Sequence, residues 1–192
     1  MSALPAALVR ALRDPAPTEA EFAPTRFCPA SNKAWFAGHY LRFVSSGFPR
    51  HQFTTRFYRQ LIHTFGHIAC YDLHGFWTEF FATGEGRVAF LEQCMSWPCH
   101  GSPEHTWCDV ERAIIGRLRQ VDLLGFHRGV LRRDQERIER AEFARLRAKY
   151  EHDVSPVDPG VLRTVLVPAG LRSGGVRAAR QGETGQLTLG LG

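Results

Sequence analysis

The segment HTFGHIACYDLH sets His63, His67, Cys70 and His74 at steps of four, three and four residues. On an α-helix, which turns by about 100° per residue, those steps hold all four side chains in one narrow stripe. Two imidazoles one turn apart can chelate a zinc ion, and a thiolate one turn further on can join them. Arg56 falls on the same face, and Gly66 beside it lets a ligand or another backbone approach closely. No carboxylate stands with the pair, because Asp72 falls towards the apolar side. The preferred reading is a solvated helix face packed on a neighbour, with zinc as the alternative.

A second cluster follows in CMSWPCHGSPEHTWC, with Cys94, Cys99, His100, His105 and Cys108. Cys94 and Cys99 straddle a helix end, and His105 and Cys108 stand one turn apart after the next helix begins. A helix–turn–helix path can bring four of these around a tetrahedral ion, although the spacing matches none of the common zinc patterns. Buried free thiols beside a turn are the more frequent outcome. A Cys–His nucleophilic pair can be drawn from either cluster, and nothing selects one. Asp72, an acid among aromatics in YDLHGFW, reads as a capping partner before it reads as an acid of shifted pKa. The sequence holds no Walker loop, dinucleotide-binding glycine fingerprint, G-x-S-x-G or H-E-x-x-H.

The elements that must position these groups read as helices. A first helix runs from about Ala3 to Arg13 and ends in the Pro-rich DPAPTEAEFAPTRFCP. A second starts at Ser31, carries Trp35, His39, Tyr40 and Phe43, and breaks at SSGFPR. The third is expected from near Gln52 to His74, with Phe57, Leu61, Phe65 and Ile68 as its buried stripe and Gly75 as its C-terminal cap. Short helices follow around FWTEFF and through EGRVAFLEQCMSW. Ser102-Pro103-Glu104 reads as the start of another, with Trp107, Val110, Ile114, Leu118 and Val121 on one face. The last runs from about Leu131 to His152, where Glu136 and Arg140 pair at i,i+4. Its thin stripe of Ile138, Phe143, Leu146 and Tyr150 is expected to pack across the bundle.

The expected fold is therefore all-α: an irregular helical bundle of about five to seven helices with a flexible C-terminal tail. Residues 1–26 form an N-terminal helix and linker, 27–153 the helical core and 154–192 a Pro/Gly-rich basic tail. That tail contains a candidate strand at Val161–Val167. At 192 residues and 44% hydrophobic composition the chain can build a sizeable core. The N-terminus develops no secretory apolar region, and no run is long enough to span a membrane. Five cysteines, an odd number, without a disulfide pattern point to a reducing cytoplasm. The formal net charge is +5, and of 24 basic residues only Lys33 and Lys149 are lysines. Between Arg128 and Lys149 eight basic residues face four acidic ones, with Arg128, Arg132, Arg133 and Arg137 as candidate phosphate contacts.

The chain closes on GQLTLGLG. Its QLTLGL, Gln186 to Leu191, resembles the six-residue form of the peptide motif by which client proteins bind the bacterial sliding clamp. The resemblance implies Gln186, Leu187, Leu189 and Leu191 as contacts. Alternate leucines fill apolar pockets while the glutamine amide makes directional hydrogen bonds. The commoner form ends in an aromatic; here Gly190 stands in that place, and Leu191 must fill the pocket. The alternative is a tail that folds back on the bundle or adds a strand to a neighbour. The stretch HIACYDLHGFW is similar to small proteins of bacterial plasmids and integrative elements, which implies a genetic setting and no mechanism.

Three functions remain open on these grounds. The first is an accessory protein of DNA replication, repair or mobile-element maintenance that docks on the clamp and touches DNA. The second is a zinc-binding helical protein or enzyme using either cluster. The third is an interaction module, such as an inhibitor of a host system.

Overall fold

Aromatic residues at helical spacing decide where the core forms. The computed structural model describes residues 4–66, 68, 72–96 and 99–151, and among these it contains seven α-helices and no strand. They are α1 (Ala6–Arg13), α2 (Ala30–Ser45), α3 (Thr55–Thr64), α4 (Leu73–Phe80), α5 (Gly84–Ser96), α6 (Cys108–Gln120) and α7 (Leu123–Glu151). The all-α fold expected from the sequence is the one observed. The core lies within the compact unit Met1–Leu146; the described part of a second unit, Arg147–Gly192, is the end of α7.

Phe36, Tyr40 and Phe43 of α2, Phe57 and Leu61 of α3, and Val110, Ile114 and Leu118 of α6 are all buried. Phe81, just after α4, sits among them, with ring centroids 4.8 Å from Phe90, 5.1 Å from Phe43 and 5.2 Å from Phe53. Each such pair adds roughly 0.5–1.5 kcal/mol to the burial itself. Leu12 of α1 and Phe22 of the Pro-rich segment join the same cluster. After α2 the chain turns through Gly47 at φ +80° and Phe48 at φ +59°. The strain of a left-handed phenylalanine, about 1 kcal/mol, is offset by its burial against Phe43 and Phe81.

The long third helix expected over 52–74 is two helices. Helix α3 opens on Thr54, whose hydroxyl accepts from the Phe57 N–H at 3.2 Å, and it stops at Thr64. Helix α4 then opens on Asp72, whose Oδ1 accepts from the Gly75 N–H at 2.7 Å. Gly66 carries the largest backbone-entropy cost of helix formation, and the Asp72 cap rewards a fresh start. The Phe57, Leu61, Phe65 and Ile68 stripe is nonetheless buried throughout. Gly75 caps no C-terminus; it lies in the first turn of α4.

Two other boundaries move. Ser102 begins a single turn, accepting from the His105 and Thr106 N–H groups at 3.0 and 2.9 Å, and α6 starts only at Cys108. Helix α7 starts at Leu123, eight residues earlier than expected, because Asp122 (φ +46°) turns the chain and its Oδ1 accepts from the Gly125 N–H at 3.1 Å. From Arg132 to Glu151 every residue of α7 is exposed. The stripe expected to pack on the bundle does not do so: Ile138 is 56% exposed and Phe143 67%. The expected strand at Val161–Val167 and the tail of 154–192 lie outside the described residues.

Candidate functional site

Lys33 has a fully buried side chain in the first turn of α2. Its ammonium lies 3.0 Å from both carboxylate oxygens of Asp109 in α6 and donates to the carbonyls of Pro103 (2.8 Å) and Thr106 (3.2 Å). Asp109 also accepts from the Ala23 N–H at 3.0 Å. A charge can be buried only when it is paired and its donors are satisfied, and this arrangement meets both conditions. The result fixes three segments to one another: the Pro-rich stretch, the turn before α6, and α2.

That fixed turn forms the wall of a crevice. A pocket of about 1020 Å³ is lined by Cys28, Arg59, Gln60, His63, Glu104, His105 and Trp107, among others. A smaller one of about 420 Å³ shares His63, His105 and Trp107 and adds Cys99, Cys108 and Glu111. The His63 ring meets the Trp107 indole edge to face, at 5.4 Å between centroids. The two clusters singled out in the sequence therefore meet here, His63 from the first and Cys99, His105 and Cys108 from the second. An indole wall with imidazoles, an arginine and carboxylates around it can receive a flat polar group.

The thiols are engaged structurally. The Cys108 thiol donates to the Gly101 carbonyl at 2.8 Å, and the Cys99 sulfur accepts from the Gly101 N–H at 3.4 Å. The Glu111 carboxylate is buried and accepts from the Cys99 N–H at 2.9 Å. Among the described residues no three His, Cys, Asp or Glu side chains stand close enough together to hold a metal ion. Cys94 is not part of the group. It lies in the core, accepts from the Tyr40 hydroxyl at 3.5 Å, and burial pushes its thiol well above the ordinary range. His100 is exposed at the start of the turn and does not line the crevice.

The stripe of His63, His67, Cys70 and His74 does not exist as one helix face. The helix breaks between its members, leaving His63 on α3 and His74 on α4. His67 and Cys70 lie outside the described residues. Arg56 stacks over the Trp35 ring, its guanidinium carbon 3.8 Å from the centroid. Asp72 is an exposed N-cap that opens α4, where the sequence pattern sets it near the C-terminal end of a helix through His74.

The four candidate phosphate contacts separate. Arg128 is drawn to Glu92 of α5, at 2.6 and 3.1 Å. Arg132 lies about 100° round the helix from Arg133. Arg133 and Arg137 share a face with Arg140, at steps of four and three. Their ion pairs are loose: Arg137 with Asp134 and Arg140 with Glu136, each at 3.6 Å, on side chains 75% and 82% exposed.

Besides Lys33 and Asp109, three polar residues were not singled out by sequence reasoning. Arg13 donates to the hydroxyls of Ser45 and Ser46 at 2.7 and 2.8 Å. Arg87 is buried and donates twice to the Phe81 carbonyl, at 3.1 and 2.8 Å. His127 packs against Phe48 and has no hydrogen-bond partner on Nε2 among the described residues. Burial, and then the nearby Arg87 charge, push the His127 imidazole down to about 4. Each is an isolated polar residue in an apolar or turn context, and only the tertiary packing gives it a role.

No family model matches this chain, and neither the curated proteins nor the solved structures contain a significant match. Among the described residues no helix is long and apolar enough to cross a membrane.

Proposed function

We propose that this protein is an accessory factor of DNA replication, repair or mobile-element maintenance that docks on the bacterial sliding clamp through Gln186, Leu187, Leu189 and Leu191. The observation that carries the reading is the residue pattern QLTLGL. A polar amide followed by leucines at alternate positions suits an extended peptide in an apolar groove. These residues lie outside the described part of the chain. With Leu191 replacing the usual aromatic, micromolar affinity is expected, about 8 kcal/mol.

Helix α7 supports the second half of the proposal. Its exposed Arg133, Arg137 and Arg140 form a basic face whose neighbouring carboxylates hold it only loosely. Surface pairs of that kind are worth about 0.3–0.5 kcal/mol each, so exchanging them for phosphates costs little. A protein held on the clamp beside DNA would use such a face as a weak, salt-sensitive contact. Fluorescence polarisation of a labelled peptide spanning 185–192 against purified clamp tests the docking step. Binding lost when Leu189 and Leu191 become alanine supports it, and binding indifferent to both changes rejects it.

A further inference from the structure

A groove of about 980 Å³ lies between α1 and the residues just before it, the turn after α2, the start of α5 and the first half of α7. Its apolar lining comes from Leu4, Val9, Val130, Leu131 and Ile138. That volume is in the range of pockets that take organic ligands, roughly 300–1,000 Å³. Its walls are set by close packing: a Cβ at Gly84 would stand 2.6 Å from Leu131 Cδ2.

Five charged side chains line the groove, and they are not equivalent. Arg132 and Asp134 have partners along their own helix, Glu136 at 3.9 Å and Arg137 at 3.6 Å. Arg87 is buried and held by the Phe81 carbonyl, and Glu85 is exposed to water. Arg13 is different. It is half-buried and oriented by the Ser45 and Ser46 hydroxyls, yet it has no carboxylate within 4.0 Å among the described residues. Two of its five N–H donors are engaged by neutral groups, which fix its direction and leave it outside any ion pair. His127 also lines the groove, with Nε2 unpartnered.

We propose that this groove binds an amphipathic carboxylate, its head group on the Arg13 guanidinium and its apolar body along Val9, Val130, Leu131 and Ile138. The inference is independent of the clamp reading, since no residue is shared between the two sites.

Calorimetric titration of the full chain with decanoate, decanol and decyltrimethylammonium, each kept below its aggregation threshold, tests it. One decanoate per chain is expected, bound at least tenfold more tightly than decanol. Arg13→Gln should weaken decanoate about tenfold and leave decanol unchanged, a difference that a purely structural role for Arg13 would not produce. Val130→Trp should remove binding of both. Ile138→Asn, at a position already half exposed, replaces it if the tryptophan variant does not fold. Equal affinity for decanoate and decanol, stronger binding of the ammonium, no saturable decanoate binding, or indifference to Arg13 and the groove variant would each overturn the assignment.

Discussion

Lys33 and Asp109, 76 positions apart, meet as a buried ion pair at 3.0 Å, and the turn between α5 and α6 is held by the same ammonium. Lys33→Met leaves the Asp109 carboxylate almost buried without its counter-charge and frees two carbonyls. The expected cost is about 3 kcal/mol or more in urea unfolding. Converting Asp109 to leucine in the same chain should recover part of that loss. A single variant as stable as the parent would show that the pair does not hold these segments together.

His127 gives the fold a defined pH dependence. Its folded pKa is pushed down to about 4 from an ordinary 6.5, so the unfolded chain binds more protons between those values. Stability is therefore complete above about pH 6.5, falls as the pH drops towards 4, and levels off below it. The His127 part of that loss should be on the order of 2 kcal/mol after allowing for the solvent that reaches the ring. His127→Phe should flatten this segment of the stability curve, measured by urea unfolding at stepped pH.

Two helical glycines should respond in opposite directions to the same substitution. At Gly116 of α6 an added Cβ meets nothing within 4 Å, so Gly116→Ala should stabilise by about 0.5–1 kcal/mol through helix propensity. At Gly86 of α5 the Cβ would stand 2.4 Å from the Glu79 carbonyl oxygen. Gly86→Ala must push α5 away from the end of α4 and should cost about 1–3 kcal/mol. Thermal melts of the two variants check both signs at once.

What the sequence disclosed and what it hid follow from the range of the forces involved. Buried stripes such as Phe57, Leu61, Phe65 and Ile68 were legible because periodicity is local. The break after Thr64 was not: a helix through His67 and Cys70 satisfies the same spacing, and the cost of Gly66 together with the Asp72 cap decides against it. The exposure of Ile138 and Phe143 was hidden for a related reason. An apolar stripe states a preference for burial without stating that a partner exists in the chain. Lys33 carried no signal at all, because its partners come from residues 103–109, and Cys94 looked like a ligand until tertiary packing placed it in the core.

The arginine face of α7 leads to a salt-dependence measurement. Changing Arg133, Arg137 and Arg140 together to glutamine should weaken duplex DNA binding uniformly across sequences. It should also reduce the slope of log affinity against log salt by about 3, close to one unit for each lost phosphate contact. Folding should be unaffected, because all three side chains are exposed. An unchanged salt slope would remove α7 from the proposed DNA contact.

The proposed attachment to the clamp can be measured directly. The direct measurement is capture of the full chain by immobilised sliding clamp, compared with the same chain ending at Gly185. The expected result is micromolar binding by the full chain and none detectable after the deletion, with identical circular dichroism for the two. Equal capture of both chains, or capture of neither, would contradict it.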